Sequence, residues 1–330
     1  MTLPPFGIDV SKATFRGELL RPEGRSSSPE FPNSPAGFAR LAAWFRRQHV
    51  DRVHACLEAT GVYGEPLALF LHQAGHAVSV VNPRQIHAFA ESELARNKTD
   101  PLDAALIARF CQAHRPPLWS PPPPEVTALE ALVRRLEALE QMRQQEANRL
   151  EVAAPAVQPS IAEHLQFLDQ QIRKTQQAIR DHIDSHPSLR AQRDLLVSIP
   201  GIADKTAAKL LAEIPRWDQF AAARQLAAFA GLNPRQYTSG SSVRGRTHLS
   251  KVGSPRLRKA LYMPALVALR HNPLLRALAR RLGQRGKHRM VIVGAAMRKL
   301  LHLAYGVLKS RKPFNPNFSS QYLLTSQDGI

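Results

Sequence analysis

Short apolar runs alternate with amphipathic stretches over the first 115 or so residues. Phe6-Gly7-Ile8-Asp9-Val10, residues 14–20, residues 53–58 and residues 77–82 read as strands. The last of these, Val78-Ser79-Val80-Val81, is β-branched and stops at Asn82-Pro83. Residues 36–49, 65–74, 84–92 and 101–114 carry helical periodicity. Strands and helices alternating in this way predict an α/β domain with a central sheet. The proline run Pro121 to Pro124 then acts as a stiff spacer. Beyond it, Leu129, Leu132, Leu136 and Leu139 recur at three and four residues, and Ala153 to Pro159 forms a turn. Ile161, Leu165, Leu168, Ile172, Ile179 and Ile183 resume the period. This predicts an antiparallel helical hairpin with a coiled-coil seam, pairing within the chain or with another subunit. From residue 190 the pattern is helical and basic. The expected class is α/β plus all-α, with boundaries 1–120, 121–189 and 190–330.

Charge sharpens the division. Of the total of +19, residues 1–120 carry +2, residues 121–189 carry −3 and residues 190–330 carry +20. A surface for a polyanion in the last region follows, nucleic acid being favoured over an anionic membrane. No uninterrupted apolar run of about 18 residues and no signal-peptide pattern occurs. The two cysteines, Cys56 and Cys111, make no disulfide framework, and no CxxC or CxxC–HxxxH ligand set exists. A cytoplasmic protein is expected.

Four acidic residues fall where these elements can converge. Asp9 ends the first strand, Glu58 ends the third, and Asp100 and Asp103 open the helix in Asn97-Lys98-Thr99-Asp100-Pro101-Leu102-Asp103. Proline at the first helical position marks that start, and a spacing of three puts both aspartates on one face. Carboxylates gathered together repel unless a cation joins them. Two Mg²⁺ ions about 4 Å apart, clamping the attacking and leaving oxygens of a phosphodiester, are one common reason for such a set. Taken singly, each acid also reads as a cap, a turn or an exposed loop residue. Lys98 and Arg96 stand beside the aspartates, as phosphate contacts or simply solvated.

Two segments of the basic region carry further signals. Leu195 to Ala208, through Ile199-Pro200-Gly201-Ile202-Ala203-Asp204-Lys205, resembles a helix-hairpin-helix clamp for a DNA backbone, in which N–H groups meet phosphate. Ala203 stands where many versions carry a second glycine. Ser239-Gly240-Ser241-Ser242 is a polar turn ringed by Arg235, Arg244, Arg246, Lys251, Arg256, Arg258 and Lys259. Guanidinium groups suit phosphate. A serine hydroxyl needs a base or a metal to attack phosphorus. His248 is the nearest titratable base, but its helix-start context points to a structural or phosphate role; if a serine attacks, metal activation from the acidic set is the source.

Gly7-Ile8-Asp9-Val10-Ser11-Lys12, Leu57-Glu58-Ala59-Thr60-Gly61 and Arg96 to Ala104 resemble the DEDD transposases of bacterial insertion sequences. Ser198-Ile199-Pro200-Gly201, Ala228-Phe229-Ala230-Gly231-Leu232 and Ser239 through Gly253 are similar to that family's C-terminal transposase domain. The resemblance covers nearly the whole chain, with its motifs in order. It implies a RuvC-like, RNase H-type N-terminal domain with Asp9, Glu58, Asp100 and Asp103 as ligands for Mg²⁺ or Mn²⁺. It implies Ser239 as a nucleophile that forms a phosphoserine link to a DNA end; chemistry alone does not separate Ser239 from Ser241. It further implies a structured non-coding guide (bridge) RNA that pairs with donor and target DNA. The implied assembly is a homo-tetramer, a dimer of dimers, whose active sites combine one subunit's acids with another's serine. Nucleic-acid contacts are expected from Lys205, Arg235, Arg244, Arg246, Lys251, Arg256 and Arg258. Two other readings use the same residues: a metal-dependent Holliday-junction-type nuclease attacking with water, and a basic scaffold without chemistry.

Overall fold

The computed structural model describes residues 3–22, 24–59, 61, 63–93, 100–235, 238–239, 243–244 and 248–317. The chain forms two compact units, residues 1–121 and 122–330.

In the first unit, β1 (Pro5–Val10) lies between β2 (Thr14–Arg21), antiparallel, and β5 (His54–Glu58), parallel. β3 (Gly24–Ser27) extends the β2 edge, β6 (Ala77–Val81) extends the β5 edge in parallel, and β4 (Phe31–Pro32) pairs with the start of β2. The two short strands β3 and β4 lie outside the sequence expectation. Side chains alternate across the sheet, so each face has its own core. Phe6, Ile8, Phe15, Leu19 and Leu57 pack with Leu41, Trp44 and Phe45 of α1 (Pro35–Arg47) and Leu67 and Leu71 of α2 (Glu65–Gln73). Cys56 and Val81 face the other way, onto Ile86 of α3 (Pro83–Ser92) and Leu106, Ile107, Phe110 and Cys111 of α4 (Asp100–His114). The helix starts have a local cause. Ser34 and Asn82 accept hydrogen bonds from Gly37 and Arg84 N–H groups, and a proline follows each cap. The same cap-then-proline pair recurs at Ser254-Pro255 and Asn272-Pro273 in the second unit.

That unit opens with α5 (Pro124–Val152) and α6 (Gln158–Ser185). They run antiparallel: the His182 ring nitrogen Nε2 is 2.7 Å from the Glu125 carbonyl at one end, and Arg143 Nε donates to Asp169 at 2.6 Å further along. The Arg143 hydrogen bond draws the Asp169 pKa below its ordinary value. Val126, Leu129, Val133, Leu136, Ile179 and Ile183 form the buried stripe of the pair. The stripe belongs to one core shared with α7 (Pro187–Val197), α8 (Asp204–Glu213), α9 (Ala223–Phe229), α10 (Pro255–His271) and α12 (Arg289–Ser310). α11 (Pro273–Gln284) joins this core through Leu275. By length and composition α12 is apolar enough to cross a membrane. Arg298 and Lys299 interrupt it, and Val293, Ala296, Leu300, Leu301 and Ala304 lie buried in the core.

Candidate functional site

Glycine at position 7 decides how the acidic side of the sheet is built. A Cβ there would stand 2.2 Å from the Ala108 nitrogen and 2.3 Å from the Ala104 oxygen, so the backbone of α4 lies directly on β1. Parallel register pairs Gly7 with Cys56 and Ile8 with Leu57. Asp9 and Glu58 are the next residues on these neighbouring strands. Alternation puts both on the face that carries Gly7 and Cys56, the face α4 covers. Asp103 lies on the first turn of α4, next to Ala104, and is half-buried. Asp100 begins that helix; its side chain, with Lys98 and Arg96, lies outside the described residues. The loops after the two strands are tied together, because Asn33 Nδ2 donates to both the Ser11 and the Tyr63 carbonyls at 3.0 Å.

The donor chemistry of these residues, all carboxylate oxygen, suits a hard divalent cation. Among the described residues, no three His, Cys, Asp or Glu side chains by themselves form a metal-holding group. The face also holds an acid that the sequence pattern did not single out. Glu18 pairs with Gly7 across β1 and β2 and is 5% exposed. Its signal was an acid set directly before the apolar pair Leu19-Leu20 in a strand. Cys56 and Cys111 are free thiols buried between β5 and α4. The Cys111 thiol donates toward the His54 carbonyl at 3.6 Å, and its contact with Cys56, together with burial, holds the Cys56 thiol above its ordinary pKa.

Ser239 and the expected cations belong to the second unit. β7 (Pro234–Arg235) pairs with β10 (His248–Leu249), and β8 (Thr238–Ser239) pairs with β9 (Val243–Arg244), both antiparallel. The two pairs nest along the chain as a ribbon, with Ser239 opposite Val243 in the inner pair. Ser241, Ser242 and Arg246, and the side chains of Ser239 and Arg244, lie outside the described residues. His248 is an exposed strand residue opposite Arg235, six residues short of the α10 cap, which corrects the expectation of a helix start. The residue after it, Leu249, anchors the ribbon: its Cδ1 would stand 3.1 Å from a Cβ at Gly294 of α12.

The base of the ribbon is clamped. Gly231 and Gly253 both have positive φ, +68° and +143°, and a Cβ at Gly253 would stand 2.5 Å from the Gly231 nitrogen. Arg258 Nη1 donates to the carbonyls of Ala230, Gly253 and Ser254 at 3.0–3.2 Å. That nitrogen therefore serves the backbone of the ribbon's legs. Arg256 pairs with Glu213 at 3.3 Å. Burial pushes the Glu213 pKa up, against the pull of Arg256. Lys251 and Arg235 are exposed. Lys205 pairs with Glu140 of α5, as Lys209 does with Glu137 at 2.8 Å.

The Gly201 turn joins α7 to α8 with φ +110°. Its open side is filled by α10: a Cβ on Gly201 would stand 2.6 Å from the Ala268 Cβ. Asn272, fully buried, caps α11 and reaches the Pro200 carbonyl at 3.4 Å. What stays open to solvent is Ala203 to Lys205, the beginning of α8.

Two family models match this chain. A transposase model, that of the DEDD transposases of the IS110 type, matches residues 6–159, and one described as transposase of the IS116/IS110/IS902 family matches residues 193–280. The pilin gene-inverting protein of Moraxella bovis is 35% identical over 312 residues, 94% of this chain and 97% of the relative. That of Moraxella lacunata is similar to the same extent. The transposase for insertion sequence element IS1328 of Yersinia enterocolitica is 28% identical over 279 residues, 73% of this chain and 79% of its own length. Matched along nearly its whole length, the chain belongs to the IS116/IS110/IS902 family of transposases and is a DNA transposase, an enzyme of DNA recombination.

Proposed function

We propose that the enzyme cuts and rejoins donor and target DNA through a covalent bond at Ser239, with Mg²⁺ or Mn²⁺ held by Asp9, Glu58, Asp100 and Asp103. The observation that carries this reading is the β1–β5 register, by which Asp9 and Glu58 follow one registered pair onto the face that α4 covers. Sheet order adds support: antiparallel β3-β2-β1 continued by parallel β5 and β6, with helices on both faces, suits a RuvC-like, RNase H-type domain. The functional segments are then residues 1–120, the coiled-coil hairpin 121–189 and the transposase segment 190–330.

Bound to those carboxylates, a divalent cation supplies charge neutralisation at the scissile phosphate and makes a hydroxyl easier to deprotonate. The chain's own part is nucleophilic. Ser239 Oγ bonds to phosphorus as the bond from phosphorus to the leaving strand's sugar oxygen breaks, and that oxygen ends with the proton. Attack by another strand's hydroxyl on the phosphoserine reverses the step and frees the serine. Phosphodiester energy is conserved, so resealing needs no nucleotide cofactor. Gene inversion, the activity named for the Moraxella relatives, likewise ends in rejoined DNA. Exposed Arg235 and Lys251, with Lys205, Arg244, Arg246 and Arg256, hold backbone phosphates. Arg258 acts by holding the ribbon. A guide RNA that selects both DNAs by base pairing, and a tetramer with active sites shared between subunits, rest on the family resemblance and on the charge of residues 190–330.

The test is a cleavage reaction with Mg²⁺, the element's flanking non-coding RNA and labelled donor and target DNA, resolved on a denaturing gel. Wild type should give a protein–DNA adduct that both Ser239→Ala and Asp9→Asn abolish. Cutting without an adduct, unaffected by Ser239→Ala, would instead identify a nuclease that uses water.

A further inference from the structure

We propose that a cleft between α8 and α10 holds one unpaired nucleotide of a single-stranded nucleic acid, its base against Tyr262 and its phosphate among lysines. The proposal rests on the DNA-acting reading above, and it concerns a binding step apart from the acids and Ser239. The cleft measures about 640 Å³, inside the range of about 300–1,000 Å³ typical of small-ligand sites. Lys205 and Lys209 line it from α8, Lys259, Tyr262 and Met263 from α10, and Met297 from α12. No carboxylate is among the described lining residues.

Three features select the ligand. Tyr262 is 38% exposed and its neighbour Met263 is 62% exposed, an uncovered aromatic and apolar wall. Every nucleobase has a π-face that stacks on such a ring, whatever its identity, and only an unpaired base can reach it. Lysines line the cleft from both helices. Lys259 has no carboxylate partner among the described residues, whereas Lys205 and Lys209 pair with Glu140 and Glu137 of α5. The Lys205–Glu140 pair is exposed on its lysine side and such pairs are weak, so Lys205 can share a phosphate with Glu140. The third feature is Pro264, which sits inside α10 and lines the cleft together with Ala260. Proline has no N–H, so the Ala260 carbonyl lacks its partner one turn on. A helical acceptor is thereby left to receive the exocyclic amino group of a base.

The experiment uses the full chain with fluorescent 12-nucleotide single strands of DNA and of RNA, each with one 2-aminopurine, and a blunt DNA duplex. Tyr262→Ala should weaken single-strand binding about tenfold and remove the 2-aminopurine quenching, while Tyr262→Phe retains both. Duplex affinity should not change. Lys259→Ala should lower the slope of log affinity against log salt by about 0.7. Whichever strand shows the Tyr262 dependence, DNA or RNA, identifies the source. Single-strand affinity unchanged in Tyr262→Ala, or an equal loss on the duplex, would overturn the proposal. The two readings fail separately: Tyr262-dependent binding without any Ser239 adduct leaves the cleft standing, and adduct formation without Tyr262-dependent binding removes only the cleft.

Discussion

Arg258 donates to the Ala230 carbonyl at 3.0 Å, across 28 residues of chain, and the same nitrogen reaches Gly253 and Ser254. The ribbon that carries Ser239 leaves and re-enters the helical unit between these points. Hydrogen bonds from a charged donor are worth more than neutral ones. Arg258→Ala is therefore expected to cost about 2–3 kcal/mol in urea unfolding and to reduce adduct formation through a loosened ribbon. Lys251→Ala should leave stability within about 0.5 kcal/mol and lower only the salt dependence of DNA binding. The reverse pattern, a stable Arg258→Ala with a lowered salt slope, would make Arg258 a phosphate contact.

Gly7→Ala tests the acidic face from the inside. The added methyl meets backbone, and backbone of a packed helix cannot turn aside as a side-chain tip can. Overpacking of this kind costs about 1–3 kcal/mol or more. If Asp103 acts with Asp9 and Glu58 as proposed, activity should fall further than stability explains, because displacing α4 shifts Asp103 relative to the two strands. Thermal unfolding and strand transfer measured on the same preparation check both parts.

His302 on α12 has its Nε2 shielded from solvent without a hydrogen-bond partner. Burial, with Arg298 and Lys299 nearby, lowers its pKa from 6.5 to about 4. The unfolded chain takes up a proton as pH falls through 6.5, and the folded chain does not until about 4. Stability is thus fully present above the first value and is lost on the way down to the second. Wild type should lose up to about 3 kcal/mol more than His302→Gln between pH 7 and pH 4. Parallel pH profiles of unfolding free energy would contradict this.

Much of this architecture was legible because period and punctuation agree. The strands that carry Asp9, Glu58 and Val81 are marked by short apolar runs between turn signals, and the helix at Asp100 by the proline that follows its first residue. β3 and β4 were not legible, since Gly24–Ser27 and Phe31–Pro32 carry no alternating pattern and owe their pairing to β2. The same limit applies to the site. That Asp9 and Glu58 share a face follows from the β1–β5 register, which no local pattern states. Arg258 looked like its exposed neighbours in a basic run, and only the folded ribbon reveals carbonyls converging on it. Tyr262 was silent because a lone tyrosine on a helix has no spacing signal until a second helix supplies lysines opposite.

The most direct measurement is to locate the bond itself. The adduct formed with Mg²⁺, guide RNA and labelled DNA is digested with nuclease and protease, and the peptides are sequenced by mass spectrometry. A nucleotide phosphate on Ser239, absent from Asp9→Asn protein, is the predicted result. A phosphate on Ser241 or Ser242, or cut DNA with no modified peptide, would contradict the account.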